Sequence, residues 1–232
     1  MIVKSYIPNF ITLLNLFSGC VAVIFALEGN MKLTALFVFL GVFFDFFDGF
    51  VARKLNVQSE LGVQLDSLAD MVTSGLVPGL VLFYLLGLVP QHFVDNSNLL
   101  PYFGLLVTLA SAYRLANFNI STNQSDAFIG LPTPANTLLI ISLPLILDYQ
   151  NSDAMNTIIL NPWFLIVLTL LSCYLLNAPI KLIALKFKTW NFKDNVSRYI
   201  LIILSVAILA VFQFAGIPLI IVTYIVLSIL SK

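Results

Sequence analysis

The sequence predicts an all-α, polytopic membrane helical bundle of about eight transmembrane helices, and three observations carry that prediction. Of 232 residues 60% are hydrophobic and only 9% are charged, where a soluble domain carries about 25% charged residues. Apolar runs recur along the whole length, and the polar stretches between them are too short to form a soluble domain, so residues 1–232 read as one membrane domain. The basic residues fall on one side of those runs. With a cytoplasmic N-terminus, Lys4, Arg53, Lys54, Arg114, Lys181, Lys186, Lys188, Lys193, Arg198 and Lys232 lie inside and Lys32 outside, ten against one.

The eight segments are about Ile7 to Leu27, Leu33 to Val51, Asp66 to Leu88, Pro101 to Phe118, Thr133 to Leu147, Pro162 to Asn177, Tyr199 to Ala215 and Ile217 to Leu230. Several are shorter than the ~20 residues that cross a bilayer, and the last two also read as a re-entrant pair. The first run is long, lacks a small-residue cleavage site and is followed by further spans, so it is a retained helix rather than a signal peptide. Pro8-Asn9-Phe-Ile-Thr12 opens it, and the simplest reading is a helix start at which Asn or Thr caps free amide groups. Glu28, Asn30 and Lys32 mark the first outer turn.

The second segment crowds Phe43, Phe44, Phe46, Phe47 and Phe50 around its acidic residues, a pattern of lipid-facing bulk. The third contains Pro78 and Gly79, which predict a kink whose freed backbone groups neighbouring helices satisfy. Gln91 to Asn98 is a polar outer loop, and the single histidine, His92, sits there, away from any chemistry. Arg114, at the end of the fourth segment, has the position of an interfacial anchor. Leu131 to Pro134 is a proline-rich turn between two helices. Asp148 and Asp153 fall in an outer loop; Lys181, Lys186, Lys188 and Lys193 form a basic inner stretch that also suits anionic lipid. Cys20 and Cys173 are far apart inside apolar segments, which supports neither a disulfide nor a zinc site.

Chemistry concentrates between positions 45 and 70. This stretch reads Asp45-Phe-Phe-Asp48-Gly49-Phe-Val-Ala52-Arg53, then eight residues, then Gly62-Val-Gln-Leu-Asp66-Ser-Leu-Ala-Asp70. A carboxylate in a membrane helix costs about 2.5–3.5 kcal/mol, so four aspartates so close together call for a cation. Asp45 and Asp48 are three apart and Asp66 and Asp70 four apart, so each pair shares a helix face. If the intervening segment is a short turn, the two faces meet, and hard oxygen ligands then suit one or two Mg2+, Mn2+ or Ca2+ ions rather than Zn2+. Gly49, Ala52 and Gly62 keep the helix surfaces low where a ligand must approach. Arg53 presents a fork suited to phosphate oxygens.

As it stands, Asp-x2-Asp-Gly-x2-Ala-Arg-x8-Gly-x3-Asp-x3-Asp resembles the complete signature of the CDP-alcohol phosphatidyltransferases. Two further stretches, Arg114-Leu-Ala-Asn117-Phe-Asn119 and Gly130-Leu-Pro132-Thr133-Pro134, are similar to the phosphatidylserine-forming branch of that family. Asn117 departs from the branch, which commonly has a basic residue there, so no cation contact carries over to it.

The resemblance implies a six-helix catalytic core plus two helices, transferring a phosphatidyl group from CDP-diacylglycerol to the hydroxyl of L-serine with release of CMP. It implies that Asp45, Asp48 and Asp66 hold divalent metal against the diphosphate, and that Asp70 shares a second ion and is the catalytic base. Gly49, Ala52, Arg53 and Gly62, with Asn9 and Thr12, would surround the CDP diphosphate, and Arg114 and Thr133 would meet the serine carboxylate or the lipid phosphate. A homodimer in the cytoplasmic membrane, with both termini and the active site facing the cytoplasm, follows from the same resemblance and the charge count. Glycerol phosphate or inositol phosphate as acceptor, and an archaeal ether-lipid donor, stay open.

A cation or proton transporter is the reading from another class. Transporters often repeat their broken helices in each half, and Asp45 to Asp70 has no counterpart in the second half. A membrane scaffold would need no acidic constellation.

Overall fold

The computed structural model describes residues 2–89, 99–120, 128–183 and 195–230, with backbone alone at 2–5 and 128. His92 and its loop lie outside the described residues, as do Lys186, Lys188, Lys193 and Lys232. All eight apolar segments are helical. Helices α1 (Ile2–Leu27) and α2 (Met31–Leu55) form an antiparallel pair, and α3 (Glu60–Asp70) runs through one wide π turn (Met71–Leu76) into α4 (Val77–Gly87). A 3-10 turn (Leu100–Leu105) leads into α5 (Leu106–Ile120), followed by α6 (Thr133–Tyr149), short α7 (Asp153–Ile159), α8 (Pro162–Asn177), α9 (Val196–Phe212) and α10 (Gly216–Leu230).

The chain is an integral membrane protein, but the expected count of eight spans is not established. Four stretches, Tyr6–Leu27, Met31–Leu55, Glu60–Gly87 and Val196–Leu230, are long and apolar enough to cross a bilayer, and α7 with α8, bent by 56°, makes a fifth. Helices α5 and α6, at 15 and 17 residues, fall short of the full hydrocarbon thickness. Val196–Leu230 is not straight. It turns back at Gln213, whose φ is +49°, and α9 and α10 pack on each other with Gly216 against the Ile208 carbonyl.

Side-chain bonds fix which helix ends lie together. At one end the Lys32 ammonium sits 4.8 Å from the Tyr149 ring centre, and Gln150 brackets the α9–α10 turn, donating to Phe212 O (3.0 Å) and accepting from Ala215 N–H (2.8 Å). At the other end Asn119 of α5 meets Gln64 and Ser67 of α3, and Tyr224 and Ser228 of α10 bond the backbone of Ile183. A two-residue antiparallel ladder, β1 (Phe128–Ile129) with β2 (Lys181–Leu182), also lies at this second end and is the one departure from the all-α expectation among the described residues. The larger apolar core joins α1, α2, α4, α6 and α8 through residues such as Val38, Leu85 and Ile140; a smaller one seats the α9–α10 hairpin on Leu131 and Leu139.

One local expectation needs correction and another takes a specific form. Asn9 and Thr12 do not cap a helix start, because α1 already begins at Ile2 and takes Pro8 within it. The kink expected at Pro78 takes the form of the π turn preceding it. Pro78 has no N–H to offer Ser74 O, and a wider turn lets other donors in. Thr137 of α6 donates to Ser74 O at 2.9 Å and Thr108 of α5 to Gly75 O at 3.1 Å.

Candidate active site

The α2–α3 turn builds the site. Asn56, in the left-handed region at φ 52°, ends α2, with Val57 N–H bonding back to Ala52 O, and Ser59 caps α3 by accepting from Gly62 N–H at 3.1 Å. Both caps lie within four residues, so the chain reverses at once. Asp48, two turns before the end of α2, and Asp66, two turns into α3, are thereby brought face to face. One carboxylate oxygen each from Asp45, Asp48 and Asp66 lies within 4.8 Å of the other two. Among the described residues no basic side chain forms an ion pair with them. Three carboxylate oxygens at this spacing repel unless a cation sits among them, and an all-oxygen set of this kind suits Mg2+, Mn2+ or Ca2+.

Asp70 stands apart from that trio. It is buried one turn further along α3, where Asn15 Nδ2 donates to its Oδ1 at 3.4 Å, and Thr73 in turn donates to Asn15 Oδ1 at 2.8 Å. This α1–α2–π-turn seam is tight because two glycines allow it: a Cβ on Gly41 would come within 2.6 Å of Thr73 Cγ2, and one on Gly19 would collide with Thr73 Oγ1. Thr12 supports the trio directly. Its hydroxyl hydrogen has Pro8 O at 3.1 Å and Asp48 Oδ2 at 2.5 Å within reach, and the shorter contact to the carboxylate is the stronger.

Beside the carboxylates a cleft of about 190 Å³ opens, walled by α1, α2 and α3. Asn9, Thr12, Asp48, Gly49, Ala52, Arg53, Gly62 and Asp66 all line it. Gly49 does more than keep the surface low: Arg53 folds back over it, with Nη1 3.3 Å from where a Cβ would stand. Gly62 likewise lets α3 approach α1, since a Cβ there would lie 3.3 Å from Asn9 Oδ1.

Arg114 and Thr133 are not in this cleft. Arg114 is buried, 9% exposed, and its Nη1 donates to Ile129 O (2.8 Å) and Leu176 O (2.5 Å), tying α5 to β1 and to the end of α8. Among the described residues no carboxylate pairs with it. Gly130, at φ +71°, packs so closely that a Cβ would lie 2.7 Å from the same nitrogen. Thr133 is buried at the start of α6 and accepts at its carbonyl from Thr137.

Several residues that matter here were given no role in the sequence. Asn15 and Thr73 hold Asp70; their signal was the polar stripe Asn9, Thr12, Asn15, Ser18 at a spacing of three along an apolar helix. Asn119 accepts from Ser67 (3.0 Å) and donates to Gln64 (3.2 Å), pinning α5 against the helix that carries Asp66 and Asp70. Ser59 is recognisable as a cap only once the α3 start is known.

Comparison with known proteins bears on the same region. The chain is 38% identical over 139 residues to a Bacillus subtilis protein named CDP-diacylglycerol--serine O-phosphatidyltransferase, covering 60% of this chain and 75% of that one. A Saccharomyces cerevisiae protein of the same name is 34% identical over 159 residues, covering 62% of this chain and 55% of its own. A Methanothermobacter thermautotrophicus protein named archaetidylserine synthase is 28% identical over 151 residues, covering 64% and 61%. The last two matches span little more than half of the relative's length. Residues 5–174, which include the carboxylate trio, the cleft and Arg114, match the family described as CDP-alcohol phosphatidyltransferase. This chain belongs to the CDP-alcohol phosphatidyltransferase family.

Proposed function

We propose that the protein transfers the phosphatidyl group of CDP-diacylglycerol to the hydroxyl of L-serine, giving phosphatidylserine and CMP. The observation that carries this reading is the convergence of Asp45, Asp48 and Asp66 within 4.8 Å beside a cleft lined by Arg53, Gly49, Ala52 and Gly62. Relatives named for the serine reaction support the acceptor.

A divalent ion, Mg2+ or Mn2+, held by the three carboxylates and shared by Asp70 where two ions bind, would supply positive charge to the diphosphate oxygens. Arg53 neutralises the same diphosphate from the cleft wall, and its fork suits two oxygens at once. Gly49, Ala52 and Gly62 leave the backbone low enough for the nucleotide, with Asn9 and Thr12 on the opposite wall. Asp70 accepts the proton of the serine hydroxyl as it attacks phosphorus; Asn15 orients it, and among the described residues no basic side chain pairs with it. Arg114, a buried cation without a carboxylate among the described residues, meets the serine carboxylate, with Thr133 beside it. A single buried guanidinium suits a zwitterion of no net charge better than a phosphate dianion, which favours serine over glycerol phosphate or inositol phosphate. The ten-to-one charge count supports termini and cleft on the cytoplasmic side of the cytoplasmic membrane. The working unit in this reading is a homodimer.

The test is CMP release by purified protein in detergent with CDP-diacylglycerol and Mn2+ or Mg2+, comparing L-serine, glycerol 3-phosphate and inositol phosphate, with Asp70→Asn as control. Serine-dependent release lost in the variant supports the reading; release with another alcohol keeps the family and overturns the acceptor. The similarity to archaetidylserine synthase keeps an ether-lipid donor as a second reading. Offering the CDP-activated ether lipid in the same assay separates the two.

A further inference from the structure

Hydroxyls and amides in the membrane interior of this protein are mostly matched. Thr12, Asn15, Ser18, Thr73, Thr108, Thr137, Ser142 and Thr169 all have protein partners. Against that background Asn136 stands out: it is 0% exposed, and among the described residues neither its Oδ1 nor its Nδ2 has a hydrogen-bond partner. The Oγ atoms of Ser74, Ser111 and, on α8, Ser172 are buried and unpartnered in the same way. Each such group costs about 1–3 kcal/mol relative to a satisfied one, so the three residues on the π turn, α5 and α6 together call for a polar occupant.

Ser74, Ser111 and Asn136 come from the π turn and from the two helices, α5 and α6, that pack against it. Thr137, next to Asn136 on α6, bonds Ser74 O in the π turn, and Ser111 Cβ on α5 lies 3.3 Å from where a Cβ on Gly75 would stand. The layer is bounded by charge at two places. Ser74 follows Asp70 by four residues along the α3–α4 stretch, and Arg114 follows Ser111 by three on α5, each about one turn away. All of this lies toward the helix ends that also carry the carboxylate trio.

We propose that this layer between the π turn, α5 and α6 is the pocket for the small polar acceptor, and that Asn136 holds the acceptor's ammonium through Oδ1, with Ser74 and Ser111 completing its hydrogen bonds. The inference rests on the serine reading above and deepens it. A zwitterionic amino alcohol matches the polarity on either side: its hydroxyl belongs toward Asp70 and its carboxylate toward Arg114, leaving the ammonium for neutral acceptors. An amide and two hydroxyls are neutral, so they recognise an ammonium without adding the positive charge that would draw in a phosphate acceptor.

The experiment measures serine-dependent CMP release by the full-length protein in detergent, with CDP-diacylglycerol and Mn2+, for wild type, Asn136→Leu and Ser111→Ala. Thermal unfolding of each is followed in the absence of serine. Asn136→Leu replaces a partnerless amide with an apolar group of similar size, so its melting temperature is expected to stay level or rise. The KM for serine is expected to rise about 10–100-fold, while the KM for CDP-diacylglycerol stays unchanged. As a second probe, 3-hydroxypropanoate lacks the ammonium; wild type should strongly prefer serine to it, and Asn136→Leu should lose most of that preference. An unchanged serine KM, an undiminished preference for serine, or a parallel rise in both KM values overturns the assignment, as expected if the layer holds only ordered water. A wild type that releases no CMP with serine overturns the functional reading itself, and the inference with it.

Discussion

Replacing Thr12 by Val tests whether the carboxylate trio is a metal site, because it removes one hydroxyl and almost no volume. In the structure that hydroxyl donates to Asp48 Oδ2 at 2.5 Å, and both side chains are buried, Thr12 at 3% and Asp48 at 5% exposure. Valine fills the place of that hydroxyl with a methyl group, and a hydrogen bond to a charged group of this kind is worth about 1.5–3 kcal/mol. The bond orients Asp48 and steadies its negative charge, and loss of such a supporting partner commonly lowers metal affinity about 10–100-fold. The Mn2+ concentration giving half-maximal CMP release should therefore rise by that factor in Thr12→Val. The maximal rate at saturating metal should change little, and Thr12→Ser should behave like wild type. A metal titration of CMP release at fixed lipid and serine measures this. An unchanged metal dependence with reduced activity would refute the reasoning, because Thr12 would then act on the nucleotide and not on Asp48.

Other perturbations probe different parts of the same framework. Thr137→Val leaves Ser74 O without its donor and should lower thermal stability by about 1–3 kcal/mol, and adding Pro78→Ala, which restores an N–H near that carbonyl, should recover most of the loss; no recovery in this double-mutant cycle would refute the account of the π turn. Gly41→Ala drives a Cβ to 2.6 Å from Thr73 Cγ2 and 2.9 Å from Asn15 Oδ1, so it should cost about 1–3 kcal/mol of stability and reduce turnover through Asp70, read by thermal unfolding and CMP release. Gly49→Ala displaces Arg53 and should raise the KM for CDP-diacylglycerol with little effect on that for serine, and Arg53→Lys, which keeps the charge but loses the fork, should do the same. Asp45→Asn should abolish metal-dependent CMP release at every Mn2+ concentration tested.

The sequence made the bundle and the acidic face legible because both rest on spacing. Apolar runs and the intervals between Asp45, Asp48 and Asp66 survive any change in helix boundary, and the caps at Asn56 and Ser59 then close the angle between α2 and α3. What stayed hidden depends on which helices become neighbours. Asn15 belongs visibly to a polar stripe, but that it would serve Asp70 depends on α1 and α2 meeting the π turn at Gly19 and Gly41. Arg114 reads as an anchor at a helix end, yet it is drawn inward by the carbonyls of Ile129 and Leu176, and neither the two-residue ladder nor the end of α8 has a signature that marks it beforehand. Asn136 is one polar residue in the apolar segment Thr133 to Leu147, just after the proline-rich turn, and only the packed structure reveals that its amide has no partner.

The way the α9–α10 hairpin is fastened says something about how the molecule is made. The family match ends at residue 174, before the hairpin begins, and two clasps hold the hairpin down: the Gln150 amide at one end, and Tyr224 and Ser228 on Ile183 at the other. Every aspartate of the trio, Asp70 and Arg114 are therefore synthesised and can be inserted before α9 leaves the ribosome. Until the hairpin docks, Leu131, Leu139 and Leu182 remain open to lipid. Along this chain the hairpin is made after the carboxylates and Arg114, and it docks beside them on Leu131, Leu139 and Leu182.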